Sequence, residues 1–173
     1  MKKSRIVDLA IFAMLGALMF ISKQIMELLP NFHAITLFIA VITLEYRARA
    51  LIPVYIFVFL QGAYSGFALW WWPYLYIWAI AWAFFMLIPK GVSLKAKGVL
   101  SAIFSALHGI SYGVLYAPFQ VIAFFNSDFS KMLPWILIGL PWDIIQMVGN
   151  IVLSILVIPL YKVLHRLEAQ RTL

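Results

Sequence analysis

Six long apolar runs, separated by short polar connections, dominate the chain and leave it few ways to fold. A helix that crosses a bilayer needs about 20 mostly apolar residues. Only a helix or a closed barrel satisfies its backbone polar groups inside lipid. The runs cover approximately residues 6–29, 34–44, 50–69, 73–88, 99–125 and 133–164. Proline marks several edges, at Pro30, Pro53, Pro73, Pro89 and Pro134. Pro118 and Pro141 fall inside the last two runs, where a kink or break is expected. The second run is short for a span, so the charges must decide whether it crosses.

Basic residues come in bursts between the runs. Lys2, Lys3 and Arg5 precede the first run, and Arg47 and Arg49 follow the second. Lys90, Lys95 and Lys97 follow the fourth, and Lys162, Arg166 and Arg171 end or follow the sixth. If all six runs span, eleven of the thirteen Lys and Arg residues fall on one side, which the positive-inside rule makes cytoplasmic. The expected fold is therefore an all-α integral membrane protein: one domain over residues 1–173, six transmembrane helices, N- and C-termini cytoplasmic. Composition agrees, with 65% hydrophobic and 11% charged residues, against about half and about a quarter in soluble domains. The net charge of +7 is spread in these bursts rather than on one solvated face, which argues against a nucleic-acid partner. The first run is longer than a signal-peptide core and is read as an uncleaved helix.

No cysteine is present, which excludes disulfides, thiolate metal sites and Cys nucleophiles. No nucleotide-binding glycine loop, His-Glu-x-x-His pair or convincing Ser/His/Asp set occurs, so no enzymatic activity is expected. The informative residues are polar groups inside apolar helices, which are costly in lipid and face a bundle interior or a cavity. Lys23 and Glu27, four apart, share a face on the first helix, as a self-neutralising pair or as a charged contact at a cavity mouth. Ala13 and Ala17 form a small-x-x-x-small strip widened by Ala10 and Gly16, suited to close helix approach. Gln61, Trp71 and Tyr74 belong to an aromatic segment at the outer side, either an interfacial belt or a wall for a planar ligand. His108, Tyr112 and Tyr116 make a stripe spaced by four on the fifth helix. Asp143, Gln146 and Asn150 share a face of the sixth, either tying helices together or recognising substrate.

Two segments carry a family resemblance. Ala10-Ile-Phe-Ala-Met-Leu-Gly-Ala17 resembles the alanine motif on the first helix of the S components of energy-coupling factor (ECF) vitamin transporters. Gly139-Leu-Pro-Trp-Asp-Ile-Ile-Gln-Met-Val-Gly-Asn150, followed by Ile158-Pro-Leu-Tyr-Lys162, is similar to their last helix. The resemblance implies a non-catalytic binding subunit in a prokaryotic plasma membrane. Such a subunit captures a vitamin from outside, associates with a transmembrane T component and two cytosolic ATPases, and topples to deliver its cargo. Ala13 and Ala17 would face the T component, although Ile11 and Phe12 interrupt the paired alanines of the fuller motif. The Trp70–Tyr74 segment and the His108 helix look most like the cobalamin type, with His33 or His108 able to meet cobalt as neutral imidazole. Pantothenate, a pyrimidine or a pterin would suit the same residue types, and no permanently bound cofactor or metal is implied. A self-sufficient secondary transporter, a membrane enzyme using His108 and Asp143, and a structural subunit are the rivals.

Overall fold

The structure is a computed structural model that describes residues 2–172. The side chains of Lys2, Lys3 and Arg5 lie outside the described residues. Among the described residues the chain is all helix: α1 Lys2–Ile25, α2 Ile35–Tyr46, α3 Leu51–Ser65, α4 Tyr74–Met86, α5 Leu94–Ile110, α6 Tyr112–Phe124, α7 Met132–Ser154 and α8 Val157–Thr172. One residue separates α5 from α6, and two separate α7 from α8, so the eight segments form six helical stretches.

Three stretches are long and apolar enough to cross a membrane: Ile6–Leu28, Leu94–Phe124 and Phe129–Ser154. The 12 residues of α2, 15 of α3 and 13 of α4 fall short of a full span. At 1.5 Å per residue, α2 rises only about 18 Å against a hydrocarbon core of about 30 Å. It is also the most enclosed element, with Ile35, Ile39, Ala40 and Ile42 completely buried. Protein, not lipid, surrounds it.

The prolines do not break the helices. Pro118 and Pro141 lie inside α6 and α7, which continue through them. The breaks come instead at Ser111 and at Ile155–Leu156, so the run expected over 133–164 is two helices. Pro159 sits in the first turn of α8, where its missing N–H would have no intrahelical partner anyway.

Polar contacts gather several chain segments at one end of the bundle. Asp8 on α1 accepts from Arg49, just before α3, and from Arg171 on α8. Arg171 also reaches Glu168 at 2.6 Å, and Glu168 accepts from the Tyr46 hydroxyl at 2.8 Å. Arg47 donates to the carbonyls of Met86 and Ile88 at 2.6 and 2.9 Å, capping the end of α4. The start of α1, the α2–α3 connection, the end of α4 and the end of α8 therefore share one basic end of the bundle. Lys23 of α1 and Tyr74 of α4 lie at the other.

The surface distribution is inverted relative to a soluble domain. Met14, Ile25, Ile138 and Ile155 are each more than 70% exposed, whereas His108, Asp143, Gln146 and Asn150 are at most 4% exposed. Apolar surface on this scale needs an apolar surrounding.

Candidate small-molecule site

A cavity of about 180 Å³ lies at the end of the bundle away from the basic cluster. Lys23, in the last turn of α1, and Met26 and Glu27, just beyond its end, form one wall. The connection from Leu29 to His33 contributes another, and Tyr74, Tyr112 and Gln146 complete the lining. The connection turns at Asn31, whose φ of 53° is one that Asn tolerates better than most residues. Its Phe32 ring lies on Gly149 of α7, where an added Cβ would sit 2.6 Å from the ring. Gly149 thus lets Phe32 pin the connection over the cavity.

Of the expected site residues, the structure brings Tyr74, Tyr112 and Gln146 into this lining. Tyr112 stacks on Tyr116 at 6.3 Å, and Tyr116 on Trp135 at 5.8 Å, so Tyr116 stands behind the lining. The Tyr116 hydroxyl contacts the Trp70 carbonyl at 3.5 Å. His108 is fully buried next to Trp78, its Nε2 3.3 Å from the Ile77 carbonyl. His33, which does line the cavity, packs against the same indole at 5.6 Å. Among the described residues no three His, Cys, Asp or Glu side chains gather closely enough to hold a metal ion.

The remaining expected residues lie apart from the cavity, and all but Gln61, which bonds within α3, reach across to another helix. Trp71 donates from Nε1 to the Val58 carbonyl at 2.8 Å, packing on α3. Gln61 donates to Ser65 Oγ at 3.0 Å. Asp143 accepts from the Gly113 backbone N–H at 3.0 Å. That N–H is one of the first in α6, so a carboxylate from α7 supplies the cap that the break at Ser111 requires. Asn150 donates to the Ser105 carbonyl at 2.9 Å, joining α7 to α5. Beside it, Gly109 admits the α7 backbone so closely that a Cβ would lie 2.7 Å from Met147 Cα. The polar face of α7 therefore divides. Asp143 and Asn150 anchor α7 to α6 and α5, and Gln146 between them faces the cavity with its Nε2 unpartnered.

The alanine strip divides as well. Ala10 and Ala13 are exposed and Ala17 is half-buried. Gly16 points the other way, onto Ile56 and Pro53 of α3, where a Cβ would meet Ile56 Cγ2 at 2.6 Å. Gly16 thus serves internal packing and does not widen the outward strip. Asn31 and Phe32 escaped selection as site residues, since a turn between two apolar runs carries no helical face pattern, and His33 stands out in the sequence only as an imidazole that could meet cobalt. Only the Asn at a turn position, next to two aromatic residues, hints at it.

Family models, curated proteins and solved structures yield no match to this chain.

Proposed function

We propose that the chain is a six-span integral membrane protein of the plasma membrane, with both termini cytoplasmic. In this reading it is the substrate-binding S component of an ECF-type importer. The carrying observation is the polar cavity at the end opposite the basic cluster. By the positive-inside rule that cluster is cytoplasmic, so the cavity opens toward the outside. Three features support a binding role. The lining mixes rings with a few polar groups, as ligand sites do. Two buried anchors, Asp143 and Asn150, hold Gln146 in place on α7. The exposed Ala10, Ala13 and half-buried Ala17 leave a smooth strip on α1 for a transmembrane partner.

The volume bears on the cargo. Pockets for drug-sized ligands run from about 300 to 1,000 Å³, and a cobalamin is larger than most of those ligands. A cavity of about 180 Å³ suits a small precursor, such as a pyrimidine, a pterin or pantothenate, better than a corrin. The partners are a T component and two ATPases, which would supply the ATP hydrolysis for which this sequence has no motif.

Affinity purification of the tagged chain from the membranes of its own cells tests the assignment. A second transmembrane subunit and an ATPase pair should copurify, and uptake into vesicles should require ATP. Uptake by the chain alone, driven by a proton or sodium gradient, would overturn it in favour of a secondary transporter.

A further inference from the structure

The geometry points to a ligand that carries both an ammonium and a carboxylate on a small ring-bearing body. This rests on the reading of the cavity as a small-molecule site and specifies its chemistry. Lys23 and Glu27 both line the cavity, yet they form no ion pair with each other, and neither side chain makes a hydrogen bond among the described residues. Their spacing of four would align them on an α-helix. The chain, however, leaves α-helix after Ile25 and winds as a 3₁₀ turn over Met26–Leu28. Three residues per turn instead of 3.6 rotates Glu27 off the face of Lys23. The result is one cation and one anion that face the same small volume and sense each other's charge, but with no salt bridge or hydrogen bond between them.

A ligand with a single charge would satisfy one of these groups and leave the other opposed or unanswered. A ligand with both charges answers both, which is how such a site would discriminate. The opposite wall supplies the rest. Phe32, Tyr74 and Tyr112 offer ring surfaces to an aromatic body. Gln146, 2% exposed, lines the same cavity with an amide Nε2 that has no partner, a neutral donor for a ligand acceptor. A cavity of about 150 Å³ holds benzene, so about 180 Å³ with an open mouth fits one ring and a short charged arm.

Isothermal titration of the detergent-solubilised full chain with four matched probes tests this. The probes are L-phenylalanine, 3-phenylpropanoate, 2-phenylethylamine and the uncharged 3-phenylpropanamide. L-Phenylalanine should bind roughly tenfold or more tighter than either singly charged probe, the scale of one charge-assisted hydrogen bond. K23Q should abolish its advantage over 2-phenylethylamine, and E27Q its advantage over 3-phenylpropanoate. Circular dichroism melts of both variants check folding. Equal binding of the charged and uncharged probes, or preferences unchanged in K23Q and E27Q, would overturn the inference. So would failure of L-phenylalanine to bind while pterin, a pyrimidine or pantothenate does, an outcome that leaves the binding-subunit reading standing. A folded chain that binds none of these compounds would overturn both.

Discussion

Replacing Gly109 by Ala should destabilise the bundle, although the same change at Gly139 should stabilise it. At Gly109 the new methyl would lie 2.7 Å from both the N and the Cα of Met147, and 3.0 Å from Asn150 Nδ2. The first two atoms are backbone, so no rotamer change relieves the clash, and α5 and α7 must separate. Overpacking of this kind costs about 1–3 kcal/mol. Separation also weakens the Asn150–Ser105 bond, worth about 0.6 kcal/mol on average between membrane helices. Against this, Ala gains about 1 kcal/mol over Gly in helix propensity. The steric term wins, leaving a net loss of about 0.6–2.6 kcal/mol. At Gly139, within α7, nothing lies within 4 Å of the added Cβ, so only the propensity term remains. Thermal melts in one detergent, followed by far-UV circular dichroism, should place G109A below wild type and G139A at or above it. A G109A protein as stable as G139A would refute the close α5–α7 approach that sets Gln146 at the cavity.

Other variants separate anchoring from binding. Asp143→Ala leaves the Gly113 N–H without its acceptor and should cost about 1–2 kcal/mol; Asp143→Asn keeps an acceptor and should lose less than half of that in the same melts. Gln146→Leu removes an unpartnered buried amide, so the melting temperature should hold or rise while affinity for the copurifying ligand falls about tenfold; a melt that drops with affinity unchanged would make Gln146 structural. Ala13→Trp, on an exposed position, should leave the melt and ligand affinity intact but abolish copurification of the transmembrane partner; copurification at wild-type yield would move the partner surface elsewhere.

Much of the fold could be read from apolar periodicity, because the helices are long and their ends carry Pro, Gly or basic residues. α2, predicted over 34–44, lies at Ile35–Tyr46, and its short length has a cause in its enclosure by other helices. The breaks could not be read this way. Ser111 interrupts a helix because Asp143, 32 residues further on, caps the next one, and no local propensity encodes a cap from another helix. Pro118 and Pro141, which look like breaks, lie in helices that continue through them.

The site was legible by half for the same reason. Face patterns correctly group Asp143, Gln146 and Asn150 on one side of α7, but they cannot distinguish a side chain bonded to a neighbouring backbone from one left facing a cavity. The i, i+4 rule expects Lys23 to pair with Glu27, but the chain winds as a 3₁₀ turn over Met26–Leu28 and no salt bridge joins the two. The wall from Leu29 to His33 depends on Phe32 meeting Gly149, a contact across 117 positions that only the folded chain reveals.

Native mass spectrometry of the chain, purified from cells grown in rich medium, bears most directly on its role as a binding subunit. The account predicts one small organic molecule bound per chain, of a mass compatible with a cavity of about 180 Å³ and carried at lower occupancy by Gln146→Leu. A chain that arrives empty and stays empty when offered a panel of vitamins and their precursors would contradict it.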